Sequence, residues 1–315
     1  MRIFLLGKIA SITHWLEDAA AAFAAEGHAV ALGVTRRPWV NLAVESALAG
    51  PLAARLVSRV RRFQPEVILA IGGYHVPPAI LAALAALPGR PPLVGWVGDL
   101  FDGSARDAAA LFDAAAYTDS ALVSRHETLG FKAKALFLPH AVDPQASWLR
   151  PAVAERRARM AFVANPTAHR CAVVDALDAP ITLHGAGWRP ASRVEHEVHA
   201  RRAAKRELGA IYGAHLAALN IRNEHNVLAG LNQRSFEPCL TGAVMVTDDQ
   251  PDLERCFNPG VEVLVWHDTD ELNALYARLR GNPAQAAAVG ERGRRRVLAE
   301  HTYARRLKTL IDALG

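Results

Sequence analysis

Short apolar runs and longer amphipathic stretches alternate along the first half of the chain. RIFLLG at 2–7 has the length of a buried strand, and residues 14–26 place Trp15, Leu16, Ala19 and Phe23 at helical spacing before Gly27 stops them. HAVALGV, PEVILAI, PPLVGWVGD, AAAYT and KALFLP read as the strands that follow. Helical patterns fall between them, from about 41 to 63 with an interruption at Gly50-Pro51, after GGYHVPP up to Leu87, and from Ser120 to Gly130. Alternation at this pace predicts parallel strands joined by right-handed crossovers and covered by helices on both faces.

The pattern restarts after LPHAVDP (138–144) and a charged, proline-flanked stretch through about Arg157. MAFVAN, PITLHG, HLAALNI, AVMVTD and VEVLVW are the second set of strands, and residues 283–299 and 302–314 close the chain as amphipathic helices. The predicted fold class is therefore α/β, with two Rossmann-like doubly wound domains facing a cleft. Residues 1–145 form the first domain and 146–315 the second, with the final helices packing back across the first. Ligands of such sheets sit beyond the carboxyl ends of the strands. That rule selects the loops GKIASITHW, GGYHVPP, VGDLFDG, ANPTAHR, HGAGW and NQRSFEP for attention.

Length supports the division, because 315 residues exceed an ordinary single core. With 51% hydrophobic and 21% charged residues the chain is globular rather than disordered. Cys171, Cys239 and Cys256 are far apart and form no Cys-x-x-Cys pair, which argues against a zinc ribbon or disulfide scaffold and for a reducing compartment. The opening apolar run is too short for a signal or membrane span, so a cytoplasmic location is expected. A net charge of +5 is concentrated near residues 60, 157, 201 and 292. These clusters read first as solvated helix faces and are compatible with peripheral contact at an anionic membrane. No nucleic-acid-binding motif accompanies them, so no nucleic acid partner is expected.

The stretch NQRSFEPCLTGAVMVTDD carries the most chemistry. With Ser235 as cap, Phe236, Glu237 and Pro238 fall in the first turn of a short helix ending at Gly242. Free N–H groups at that mouth and Arg234 beside it suit a phosphate, and the Glu237 carboxylate suits a pair of vicinal hydroxyls. Together they match a nucleoside-diphosphate ligand. The plainer alternative is a capped helix in which Glu237 complements the dipole and pairs with Arg234.

This stretch, followed by LERCFNPGVEVLVWHDTDEL and NPAQAAAVGERGRRRVLAEHTYARRL, resembles the donor half of GT-B-fold glycosyltransferases, most closely the bacterial group-1 type related to the spore-maturation protein CgeB. The matching positions are Arg234, Phe236, Glu237, Gly242, Asp248 and His301-Thr302-Tyr303. MAFVANPTAHR and ITLHGAGW resemble the opening of the same domain, and LPHAVDP its linker. The resemblance covers roughly 115 to 310 and implies a transferase using a nucleoside-diphosphate-sugar co-substrate and no other cofactor. It implies that Glu237 binds ribose hydroxyls and Arg234 the diphosphate, with Arg170 a further phosphate contact. Gly185, Gly187 and Trp188 would line the nucleobase end, and Asn220 would be a polar contact nearby. Ala229 stands eight positions before Glu237, where many retaining relatives carry a second Glu, so retention is not implied.

The first half would then bind a protein, glycan or small-molecule acceptor. Asp99, His14 and His75 each follow a strand and are the candidate bases, Asp99 foremost. Each has a plainer alternative: an early helix residue for His14, a packed loop imidazole for His75, and a turn former for Asp99. His196-x-x-His199 has helical spacing but no third ligand, and reads as a solvated polar face. Charge on a diphosphate can be met by arginine, so no metal is expected. The glycine turns lack a Gly-x-Gly-x-x-Gly opening a helix after the first strand, which argues against a nicotinamide enzyme. A nucleotide-sugar epimerase and a non-catalytic binding protein on this scaffold are the alternatives.

Overall fold

The computed structural model describes residues 1–9, 14–36, 42–146 and 156–314. Residues 10–13 of the first loop and 147–155 of the expected linker lie outside the described residues. The chain divides into two compact units, one of Met1–Asp143, Asn226–Gly230 and Tyr303–Gly315, the other of Pro144–His225 and Leu231–Thr302.

In the first unit the order is β1 (Arg2–Lys8), α1 (Trp15–Ala25), β2 (Ala29–Arg36), α2 (Leu42–Phe63), β3 (Val67–Ile71), α3 (Pro78–Ala85), β4 (Leu93–Val97), α4 (Arg106–Ala109), β5 (Ala114–Tyr117), α5 (Ser120–Thr128) and β6 (Lys134–Phe137). All pairings are parallel, in the spatial order β2-β1-β3-β4-β5-β6. Successive residues of β1 point to opposite faces. Ile3 and Leu5 meet Trp15, Leu16 and Phe23 on one side; Phe4 and Leu6 meet Leu56, Val60, Ile80 and Leu84 on the other. The hydrophobic run is continuous because both faces are buried.

The helix expected to break at Gly50-Pro51 instead runs through as α2, with Pro51 inside it. Proline normally clashes with the Cβ of the residue before it. Gly50 has none, and both residues lie on the exposed side.

The second unit contains β7 (Arg157–Val163), α6 (Ala168–Asp175), β8 (Thr182–His184), β9 (Glu197–His199), α7 (Lys205–Gly213), β10 (His215–Asn220), α8 (Glu237–Leu240), β11 (Val244–Asp248), α9 (Leu253–Cys256), β12 (Leu264–Trp266), α10 (Thr269–Gly281) and α11 (Pro283–Glu300). Its sheet is also parallel throughout, ordered β12-β11-β10-β7-β8-β9. The last helix, α12 (Tyr303–Leu314), belongs to the first unit, where Tyr303 and Leu307 join the core beneath Trp96 and Phe23.

Two expectations are corrected in the second unit. His196 precedes an edge strand, β9, and His199 ends it, so the pair does not share a helix face. His196 is buried, its Nδ1 accepting from the Ile181 N–H at 3.2 Å and its Nε2 donating to the Val174 carbonyl at 3.2 Å. Three residues of strand are too few to show a period of two. The basic run near 292 is also not simply solvated. Arg292, Arg294 and Arg296 donate to the carbonyls of Val261, Leu240 and Cys256, fastening α11 to the loop before β12 and to the ends of α8 and α9.

Candidate active site

Each sheet has one place where the chain reverses its direction of strand addition, between β1 and β3 in the first unit and between β7 and β10 in the second. At such a point the two neighbouring crossovers leave on opposite faces, opening a crevice at the strands' carboxyl ends. His75 follows β3 at the first of these points, and Asn220 ends β10 at the second.

In the first unit, Lys8 ends β1, the turn Gly73–His75 follows β3, and Asp99 follows β4. The structure brings two of the three candidate bases together: His75 Nε2 lies 3.1 Å from Asp99 Oδ2, each side chain about half exposed at 51% and 49%. His75 holds the Asp99 carboxyl below the ordinary aspartate value, with Lys8 and His140 adding to the effect against the opposing cost of burial. His14 is placed differently. It caps α1 in the left-handed region at φ 47°, and its Nδ1 lies 3.8 Å from Glu17 Oε1. Among the described residues no bond joins it to His75 or Asp99.

The turn that carries His75 is held closely. Gly73 has φ +42°, and a Cβ there would lie 2.4 Å from Val97 Cγ2. The Gly72 N–H donates to the Trp96 carbonyl at 2.8 Å. His140, read from the sequence only as part of a linker, is buried against Trp15, ring centroids 4.8 Å apart. Lys8 was also missed, although the reversal rule applied to the first strand points to it.

In the second unit, Arg234 lies in a turn at Gln233–Ser235 and Glu237 opens α8. Ser235 is not the cap. Phe236 takes that position, and the Ser235 hydroxyl instead accepts from Asn220 Nδ2 at 3.1 Å. The helix is only four residues long, which removes the dipole of a full helix from the argument. What remains is side-chain chemistry. Arg234 is half-buried, and among the described residues its guanidinium has no hydrogen bond or ion pair, its Nε being fully enclosed without a partner. Burial pulls its pKa below the ordinary arginine value, while Tyr212 and Glu237 oppose the shift. Glu237 itself is 5% exposed.

The other candidates are tied into the frame. Arg170 donates Nε and Nη2 to the Ile221 carbonyl and Nη1 to the Asn165 carbonyl at 3.0 Å. Burial first, then the neighbouring Arg234, lower its pKa to about 10. Asn220 joins Ser235, Thr247 and Asn232, linking the ends of β10 and β11 to the Arg234 turn. The Trp188 indole packs against Phe162 and donates to the Ala164 carbonyl at 2.7 Å. A Cβ on Gly185 would stand 2.1 Å from that same oxygen, and Gly187 adopts φ +92°. Phe236 packs between Phe257 and His301, and His301 donates to the Cys256 carbonyl at 2.7 Å, so the distant HTY segment supports the Arg234–Glu237 stretch from behind.

Sequence reading missed Tyr212 and Arg222. Tyr212 is 2% exposed, its hydroxyl has no partner among the described residues, and it interacts electrostatically with Glu237 and Arg234. Arg222 follows β10, with Nε 3.7 Å from the buried Asp248 at the end of β11. Tyr212 lies in the last turn of α7 and looks like core from its spacing. Arg222 follows a strand and was within reach of the loop rule.

Residues 166–312 match a family model described as glycosyl transferase-like. No curated protein matches the chain. Among solved structures, sucrose-phosphate synthase from Thermosynechococcus elongatus superposes with a TM-score of 0.70 at 12% identity, covering 100% of this chain and 99% of that one. HepE from Anabaena, solved in complex with UDP and glucose, gives 0.68 at 12% identity with the same coverage. AviGT4, a glycosyltransferase involved in avilamycin A biosynthesis, gives 0.64 at 14% identity over 99% of this chain and 96% of its own. Two parallel six-stranded α/β units that match these enzymes along their whole length make the fold GT-B, with a glycosyl transferase-like sequence over most of the second unit.

Proposed function

We propose that this protein transfers a sugar from a nucleoside-diphosphate-sugar donor to an acceptor hydroxyl. The observation that carries the reading is the Arg234 guanidinium, half-buried and without a partner among the described residues, beside the Glu237 carboxylate. A desolvated cation with unused donors favours a dianionic group, and a guanidinium fork matches phosphate oxygens two at a time. Glu237 then accepts from the ribose hydroxyls, and the buried Tyr212 interacts electrostatically with both Glu237 and Arg234. Gly185, Gly187 and Trp188 stand at the nucleobase end as frame, Arg170 and Asn220 as braces for the loops that Arg234 and the ligand share. The UDP complexes of HepE support a nucleotide donor, and the glycosyl transferase-like match supports the reaction type. The sequence pattern supports a CgeB-related, bacterial, cytoplasmic enzyme in which arginine rather than a metal meets the diphosphate charge.

In the transfer, the acceptor oxygen bonds to the anomeric carbon, the bond from that carbon to the β-phosphate oxygen breaks, and the nucleoside diphosphate leaves with the electron pair. Asp99, kept ionised by His75, takes the acceptor proton. Arg234 stabilises the charge that grows on the departing diphosphate.

Calorimetry with a panel of nucleoside diphosphates tests the donor site. At least one binds the native chain, and Arg234→Ala and Glu237→Ala each weaken it about tenfold to a hundredfold, as loss of a charged contact does. Binding by none, or binding unchanged in both variants, overturns the reading. Isomerised donor formed without acceptor moves the assignment to an epimerase.

A further inference from the structure

The core of the first unit contains a chain of three polar side chains that none of the proposed chemistry uses. Tyr74 O–H meets Tyr117 O–H, Tyr117 O–H lies 2.7 Å from His126 Nδ1, and His126 Nε2 lies 2.8 Å from the Ala133 carbonyl. The members come from the turn after β3, from β5 and from α5, and sit among Val97, Phe101, Leu122 and Phe131. Phenylalanine would fill the same space at either tyrosine. A polar chain in an apolar cluster is retained at a desolvation cost and gives a defined arrangement in return.

We propose that Tyr74, Tyr117 and His126 are positioning residues that hold the Gly73–His75 turn so that His75 meets Asp99; the inference rests on Asp99 being the acceptor-side base. The order of protons follows from the last link. A backbone carbonyl only accepts, so His126 Nε2 carries hydrogen, and in the neutral ring Nδ1 accepts from Tyr117. The Tyr117 oxygen in turn accepts from Tyr74. Burial raises both phenols, Tyr74 to about 12, so each keeps its O–H at physiological pH. In that arrangement the relay is directional, running from the carbonyl at the foot of β6 to the ring of Tyr74, one residue before His75. Because the turn is only three residues long, fixing the Tyr74 ring fixes the backbone from which His75 reaches Asp99.

Tyr117→Phe breaks the middle link by removing one oxygen, and Tyr74→Phe removes only the terminal hydroxyl, which keeps the test alive should the first variant not fold. The primary readout is a carbon-13 NMR titration of the Asp99 carboxyl, assigned by its loss in Asp99→Asn. The groups facing Asp99 are His75, Lys8 and His140, and His75→Gln marks the position of an Asp99 without its first partner. In a folded Tyr117→Phe or Tyr74→Phe protein the Asp99 titration moves up toward the His75→Gln value, and kcat falls while KM for the donor stays unchanged. An Asp99 titration that stays at its native position in both variants overturns the relay. If the titration moves but the native chain transfers no sugar, the relay stands and the proposed reaction fails.

Discussion

Arg170 donates two of its nitrogens to a single carbonyl, that of Ile221, at 3.2 Å through Nε and 2.8 Å through Nη2. A guanidinium used in this way is a strut: it fixes the start of the loop after β10 to α6. Arg170→Ala takes these two donors from the buried Ile221 carbonyl, while the Asn165 carbonyl lies on an exposed residue, and costs about 1–3 kcal/mol of folding stability. Arg170→Lys recovers only part, because an ammonium cannot span the same fork. Urea denaturation of the three proteins measures both effects.

Backbone contact makes a second prediction. Gly185→Ala drives a methyl group into the Ala164 carbonyl, the acceptor of the Trp188 N–H, and destabilises by about 1–3 kcal/mol with loss of the native Trp188 environment. Gly281, the exposed last residue of α10, has open space around it, and Gly281→Ala stabilises by about 0.4–1 kcal/mol. Thermal melts and tryptophan fluorescence of this pair separate packing from propensity.

The second unit carries a pH-sensitive edge. His184 on β8 stacks on His199 of β9 at 4.3 Å, and burial, then His199 and His215, lower its pKa to about 4 from the ordinary 6.5. A folded histidine that resists protonation contributes stability that is complete above pH 6.5 and is lost as the pH falls toward 4, because the unfolded chain takes up the proton first. His184→Gln flattens this slope by up to about one proton between those limits. Denaturation free energies at pH 7, 6, 5 and 4 give the slope directly.

The fold was legible because parallel strands buried on both faces write themselves as uninterrupted apolar runs, and all eleven runs read as strands coincide with strands between β1 and β12, β9 alone having no such run. What escaped was short or indirect. β9 is three residues long with one apolar side chain, Val198, between Glu197 and His199, and its strand character comes from pairing with β8 alone. Arg234 and Glu237 stood out by residue type, and so did His75 and Asp99, but the 3.1 Å approach of the last two depends on a loop conformation that no spacing encodes. The relay of Tyr74, Tyr117 and His126 was invisible for the same reason. Tyr117 and His126 look like ordinary strand and helix residues, and Tyr74 like a loop residue, until three separate elements bring their polar tips into line.

Truncation probes the C-terminal helix. Tyr303 is fully buried, and Arg306 donates to the carbonyls of Pro139 at 2.7 Å and His140 at 2.9 Å. A chain ending at Thr302 uncovers Trp96, Phe23 and the segment around His140, and it loses solubility or melts well below the native protein in a thermal scan.

Asp119 shows what the path of the chain implies. Its Oδ2 accepts from the N–H groups of Leu228 at 2.9 Å and Ala229 at 3.0 Å, anchoring five residues from the middle of the second half of the sequence onto the first unit. With α12 returning as well, the polypeptide changes unit four times, at 143/144, 225/226, 230/231 and 302/303. Recombination at one junction would therefore pair a foreign clasp and a foreign tail with a native first unit. An intact second unit exchanged between relatives of this protein must travel as two inserts, 144–225 and 231–302, leaving the clasp and the tail with the host they were shaped to fit.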